Sequence, residues 1–169
     1  MAAIVGKFEK VSYEQFKSGV LEYISDEAVI KEKYDRITLP KRATKGSAGY
    51  DIRTTLDITL EPGDCIKVPT GIRVRMNEDW MLAVFPRSGL GFKFRLQLNN
   101  TVGIIDSDYY FSDNEGHIFV KITNDSKEGK KVELKEGDAF AQGIFIPYGI
   151  TEDDDTDTVR NGGFGSTGK

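Results

Sequence analysis

Residues 65–76 read "CIKVPTGIRVRM". Ile66 and Val68 alternate with polar neighbours, and Ile72, Val74 and Met76 do the same after Pro69-Thr70-Gly71. Two runs of period two, split by a Pro/Gly turn, describe two half-buried β-strands facing one core. Outward in both directions the rhythm repeats. "DITLEP" (57–62) sets Ile58 with Leu60, "HIFVKITN" (117–124) sets Ile118 with Val120 and Ile122, and "KKVELKEG" (130–137) alternates likewise. Turn residues punctuate these runs at Pro62-Gly63-Asp64, Asn124-Asp125-Ser126 and Glu136-Gly137-Asp138. Many short strands with frequent turns predict an all-β antiparallel fold, either a sandwich, a jelly roll or a barrel.

The chain has 169 residues, 38% of them hydrophobic, enough for one domain with a real core. Its 23 basic and 27 acidic residues give a net charge of -4. That balance argues against coating nucleic acid or an anionic membrane, while leaving room for a small anion held by a few placed cations. No apolar run reaches membrane-spanning length, and "MAAIVGKFEK" lacks the apolar block of a secretory signal, so an intracellular, cytoplasmic protein is expected. The single cysteine, Cys65, and single histidine, His117, supply neither a disulfide nor a zinc ligand set. Cys65 is expected to be a small buried residue of a strand rather than a nucleophile.

Before the strands comes "SYEQFKSGVLEYI" (12–24). Ser12 followed by Gln15 matches a capping box, and Phe16, Val20 and Ile24, with Leu21 beside them, line one helical face. Residues 1–36 are thus expected to be an N-terminal helical extension, 37–150 the β domain, and 151–169 a flexible linker and Gly-rich arm. The acidic stretch "TEDDDTDTVR" (151–160) has too little apolar surface to pack.

Five segments break the strand rhythm with chemistry. "GSAGYDI" (46–52) carries Asp51, and "PRSGLG" (86–91) places Arg87, Ser88 and Gly89 in a glycine-rich turn suited to an oxyanion. "NNTVGIIDSDYY" (99–110) brings Asp106 and Asp108 to the end of an apolar run, where a carboxylate can serve as general base or as an ordinary turn acid. "GDAFAQGIF" (137–145) carries Gln142, and "RNGGFGSTGK" (160–169) ends the sequence. Within the last, "GFGSTGK" fits most of a phosphate-loop pattern, but the Ser or Thr after the Lys and the outgoing helix are missing, so that reading is set aside.

In this order the five segments resemble the five motifs of the trimeric dUTPase family, the dUTP nucleotidohydrolases. "AGYDI", "PRSGL", "GIIDSDY", "GDAFAQGIF" and "RNGGFGSTG" correspond to the first through fifth. The resemblance implies a jelly-roll-like β-barrel assembled as a homotrimer, with three sites at subunit interfaces, acting on dUTP to give dUMP and pyrophosphate. It implies that Asp106 activates the water that attacks the α-phosphorus, with Asp51 as a supporting acid. Tyr109 would lie under the deoxyribose and exclude a 2′-hydroxyl. Asn100, Gly103, Ile104 and Ile105 would form the hairpin that reads uracil. Arg87, Ser88, Gly89 and Gln142 would hold phosphates. Phe164 would stack on the base, and Arg160, Gly165, Ser166 and Thr167 would engage the phosphate tail. Mg2+ is the implied cofactor, held through phosphates and water rather than by a dedicated ligand set.

The sequence departs from the family pattern after Tyr109, where "YFSDNEG" (110–116) intervenes before the next strand. Arg160 stands one residue nearer the Gly-Gly pair than is usual, Gly143 replaces an aliphatic residue, and the N-terminal helix is additional. These trimmings fit a phage or bacterial member. Two rivals are weighed against it. A deaminase of the same fold would want a glutamate at the base, where "DSDY" offers Asp and Tyr. A nucleotide-switched regulator would be expected to have lost Asp106, Tyr109 or Gln142; a regulatory protein partner, if there is one, would meet the 110–115 insertion.

Overall fold

The computed structural model describes residues 3–158. Alternation becomes strand where it was expected. β1 (Gly6–Lys10) precedes two helices, α1 (Tyr13–Val20) and α2 (Glu27–Arg36). Then come β2 (Lys41–Arg42), β3 (Tyr50–Arg53), β4 (Ile58–Leu60), β5 (Cys65–Pro69), β6 (Ile72–Met76) and β7 (Trp80–Pro86). A short helix α3 (Ser88–Phe94) leads to β8 (Leu96–Leu98) and β9 (Gly103–Ile105). A 3-10 turn (Ser107–Phe111), β10 (Phe119–Asn124), β11 (Val132–Leu134) and β12 (Ala139–Pro147) complete the order.

Every strand pair is antiparallel. The largest sheet runs β2-β3-β12-β7-β9, a second runs β5-β10-β8, and the pairs β1-β6 and β4-β11 close the sides. Ile52, Val68, Leu82, Ile122, Val132 and Phe140 meet between these layers with no exposed surface. The mostly-β architecture is the jelly-roll-like barrel expected from the alternation.

One turn is held by a buried polar group, Asn124, whose carboxamide bonds on both sides. Asn124 donates to the Leu60 and Lys130 carbonyls, both at 2.9 Å, and its Oδ1 accepts from the Ser126 amide. This one carboxamide pins the end of β10 to β4 and to the loop entering β11. Leaving such a group unpaired would cost about 1–3 kcal/mol.

The N-terminal segment differs from expectation in three ways. It begins with a strand, because Phe8 inserts into the main core while Gly6 to Lys10 pair with β6. The Ser12 hydroxyl accepts from the Gln15 amide as read, but the other half of the capping box is supplied by Glu115, which accepts from the Ser12 amide in place of the Gln15 side chain. The helix ends at Val20, and Leu21 is exposed. A second helix follows, capped by Asp26, whose carboxylate accepts from the Ala28 and Val29 amides. Val11, Phe16, Val20 and Ile30 make a separate small core roofed by Tyr13 and Tyr34. The side chain of Glu136 then clips α2 to the barrel, receiving two bonds from Arg36 and one from Lys33. Those cations hold its carboxyl below the usual range, the Arg36 hydrogen bond first among them.

Cys65 is exposed, which corrects the expectation that it is buried. The alternation that turns Ile66 and Val68 inward requires it: Cys65 and Lys67 share the opposite face. His117 is fully buried and lies beyond the far end of β10 from Thr123, the residue opposite Cys65. Among the described residues no helix is long and apolar enough to cross a membrane.

His117 accepts a hydrogen bond at Nε2 from the Gly71 amide at 2.9 Å, while Nδ1 faces the Gln15 carboxamide at 3.4 Å. Burial pushes its pKa down to about 4, with Glu115 pulling weakly the other way. The unfolded chain therefore takes up this proton near pH 6.5 and the folded chain only near 4. Stability is complete above the first value and is lost as pH falls from about 6.5 to about 4. The expected loss is on the order of 3 kcal/mol. Melting temperatures measured across that window should fall for the native chain and fall less for His117→Gln.

Candidate active site

The five-stranded sheet brings three of the quoted segments to one place. Register sets Asp51 on β3 opposite Gln142 on β12, and Gln142 opposite Phe85 on β7. Two residues beyond Phe85 the chain leaves the strand and Arg87 caps α3, its amide donating to the Phe140 carbonyl. Arg87 Nε lies 3.4 Å from Asp51 Oδ1, and Gln142 Nε2 donates to the Pro86 carbonyl at 3.3 Å. Asp51 thus aims a half-exposed guanidinium instead of leaving it to wander. The expected turn at 86–91 is a short helix, so the Ser88 and Gly89 amides belong to a first turn that has no intrahelical acceptors for them. Gly143 also finds its reason here: a Cβ would come within 2.9 Å of Leu82 Cδ1, leaving no room for the aliphatic residue.

The second centre forms at β9. A cavity of about 510 Å³ is walled by Asn100, Gly103, Ile104 and Ile105, with Asp106 and Tyr109 at one end. Gly103 packs closely on β7: a Cβ there would approach Val84 Cβ to 3.2 Å. Asp106 ends the strand in extended conformation and starts the 3-10 turn, its side chain making no cap bond to that turn. The turn brings Tyr109 back beside Asp106 as part of the cavity wall. Lys67, Lys121, Leu98 and Phe119 also line this cavity and were not singled out in the sequence. Their only signal was strand alternation, which does not tell a cavity wall from any other strand face.

The segment expected as a hairpin is a corner between sheets. β8 pairs with β10 and β9 pairs with β7, so Asn99 to Val102 cross from one layer to the other. At the corner Thr101 has φ 66°, and the Val102 amide donates to the Asn100 carbonyl at 2.7 Å, which makes a γ-turn. A β-branched residue in this region is unusual and keeps the loop's backbone groups in a single arrangement.

The two centres are apart. Ile105 pairs with Leu82, so Asp106 falls level with Met81, four residues along β7 from the Gln142 row. Strand geometry converts this to about 13 Å along the sheet and about 10 Å across it. Asp51, Arg87, Ser88, Gly89 and Gln142 do not line the Asp106 cavity. Arg160, Phe164, Gly165, Ser166 and Thr167 lie outside the described residues.

The sequence profile of the dUTPase family matches residues 35–168, so both centres, the first four segments and all but the last residue of the fifth fall inside it. The chain belongs to the dUTPase family. The deoxyuridine 5′-triphosphate nucleotidohydrolase of Lactococcus lactis is 40% identical over 145 residues, covering 84% of this chain and 95% of that protein. The crystal structure of the dUTPase from Streptococcus mutans superposes with a TM-score of 0.63 at 34% identity, covering 86% of this chain and 98% of that one. A mutant dUTPase from phage phi11 of S. aureus, whose structure reveals the coordination of a structural Mg(II) ion, shares the fold with a TM-score of 0.58 at 23% identity. It covers 72% of this chain and 90% of that one.

Among the departures from the family pattern, the 110–116 insertion is closed by Gly116 at φ 70°. A Cβ there would lie 2.7 Å from Tyr110 Cα and 2.8 Å from the Tyr109 carbonyl, both backbone atoms that cannot step aside. Gly116→Ala should destabilise this dUTPase by at least about 1 kcal/mol, read as a lower midpoint in urea.

Proposed function

We propose that this enzyme hydrolyses dUTP to dUMP and pyrophosphate, with Asp106 as the general base. The observation that carries the reading is the cavity in which Asp106 and Tyr109 stand together beside the backbone of Gly103 to Ile105. Asp106 takes a proton from water, the water oxygen bonds to the α-phosphorus, and the bond to the bridging oxygen breaks with pyrophosphate leaving. The Tyr109 ring lies under the deoxyribose and leaves no room for a 2′-hydroxyl. Backbone groups of the Asn100–Ile104 corner pair with the uracil edge. Thymine then meets a steric wall and cytosine a mispaired donor, the costlier of the two to bury.

Arg87, the Ser88 hydroxyl, the Gly89 amide and Gln142 bind phosphate oxygens, with Asp51 holding the Arg87 fork in place. Phe164 stacks on the base, while Arg160, Gly165, Ser166 and Thr167 close on the phosphates and exclude water. The described residues hold no group of three or more His, Cys, Asp or Glu set for a metal. The ion expected with a triphosphate is Mg2+, which prefers phosphate oxygens and water to an all-protein cage. When bound, Mg2+ neutralises phosphate charge and fixes the triphosphate.

The separation of the two centres supports a shared site in a homotrimer. Asp106 and Tyr109 come from one subunit, and Arg87 and Gln142 from a neighbour. A substrate spanning both in a single chain would have to cross the sheet.

The deciding assay is pyrophosphate release from dUTP, dTTP, dCTP and UTP with Mg2+, repeated with a chelator. Release from dUTP alone, lost on chelation, is expected; ammonia from dCTP would sink the reading. Asp106→Asn should lower turnover by about three orders of magnitude or more while nucleotide still binds, checked by calorimetry with a non-hydrolysable analogue. Asp106→Asn and Arg87→Ala chains, each inactive alone, should regain about a quarter of native activity when co-expressed in equal amounts, as random mixing in a closed ring rebuilds intact sites. No recovery in mixed trimers would place both residues in one chain's site.

A further inference from the structure

The insertion after Tyr109 is built around that tyrosine's hydroxyl. Tyr109 donates to the His117 carbonyl at 2.8 Å, and Asn114 Nδ2 donates to the Tyr109 hydroxyl at 2.8 Å. Both partners sit at the far end of the inserted loop, so the phenol oxygen is fixed by one donor and one acceptor at once. The ring has 5% of its surface exposed and forms cavity wall beside Asp106. A ring pinned at its tip can neither tilt nor slide along that wall without breaking a buried bond.

The orientation of Asn114 is itself determined. Its Oδ1 accepts from the Gly116 amide at 3.2 Å, which leaves only Nδ2 to face the tyrosine. Two consecutive left-handed residues, Glu115 at φ 59° and Gly116 at φ 70°, fold the loop back to make this possible. Glu115 is the costly member, because its side chain disfavours that backbone region. Its carboxylate compensates by accepting from both the Ser12 amide at 2.7 Å and the Ser12 hydroxyl at 2.6 Å. The start of α1 thereby holds the turn, the turn holds Asn114, and Asn114 holds Tyr109.

We propose that Asn114 is a positioning residue for sugar discrimination: acting through Tyr109, it holds the ring where a ribose 2′-hydroxyl has no space. This rests on the reading of Tyr109 as the surface under the deoxyribose. The insertion is then a brace for substrate selection inside the chain's own site. Chemistry at phosphorus does not pass through Asn114, so its loss falls on preference rather than on turnover of dUTP.

The test uses the full-length enzyme carrying Asn114→Ala, Tyr109→Phe and both together, with kcat and KM measured for dUTP and UTP. Asn114→Ala should lower the dUTP-over-UTP preference about tenfold or more, with kcat on dUTP kept within about threefold, and Tyr109→Phe should lower that preference by at least as much. The double variant should be no worse than Tyr109→Phe alone, because that substitution already removes the bond to Asn114. In parallel, 19F NMR of 3-fluorotyrosine at position 109 should show a displaced resonance in Asn114→Ala. An unmoved resonance with unmoved preference overturns the role of Asn114. Should Asn114→Ala fail to fold, Tyr109→Phe removes the same pair without touching the loop, and unchanged preference there overturns it equally. A displaced resonance, with preference unaltered even in Tyr109→Ala, overturns instead the underlying reading of Tyr109.

Discussion

Strand β12 is hydrogen-bonded along both edges, to β3 on one side and β7 on the other, and the meeting of Asp51, Gln142 and Arg87 depends on that double pairing. Asp51, Gln142 and Arg87 are far apart in sequence. They meet because β12 can lie in only one register between its neighbours. A slip of one residue would turn every side chain of the strand to the other face and bury Gln142 in place of Ala141. Leu82, packed into the space above Gly143, resists such a slip, since any residue with a Cβ arriving there would collide with it. The irregularity between Ala139 and Ala141 absorbs the mismatch at the strand's start and leaves the Gln142 row in step.

The same sheet explains the division of labour. β7 carries Arg87 at its exit and pairs with β9 near its middle, so the cation and the Asp106 carboxylate leave the sheet at different levels. Each half is rigid for its own reason: an ion pair and a crossed register on one side, a walled cavity and a pinned tyrosine on the other. Neither half alone holds both the Asp106 carboxylate and the Arg87 guanidinium. On the proposed reading, a second copy of the same surface completes the pair, which closed rings of identical subunits can supply.

What the sequence made legible was whatever repeats or caps. Ile72, Val74 and Met76 announced β6 because burial on one face needs period two. Ser12 announced α1 because few residues can satisfy a helix's first amides. β1 escaped because "GKFEK" buries one residue fully, Phe8, and a single apolar position has no period. α2 was signalled only by Asp26, since Ile30 is its one fully buried side chain and most of the other residues are charged. α3 escaped because Gly89 and Gly91 speak against a helix, which here is sustained by its place between β7 and β8. Asp106, Tyr109, Arg87 and Gln142 were readable as motif members. Lys67, Lys121 and Asn114 were not, because what matters about them is a neighbour contributed by another part of the chain.

The mutual grip of Ser12 and Glu115 makes the two additions to the barrel a single graft. Shortening the polypeptide to begin after α2 would strand a carboxylate, strip the cover from Gly71 and His117, and leave the inserted loop without its latch. Removing only the loop would deprive α1 of the acid that completes its cap. Anyone paring this enzyme down to a minimal scaffold must excise both pieces together or neither.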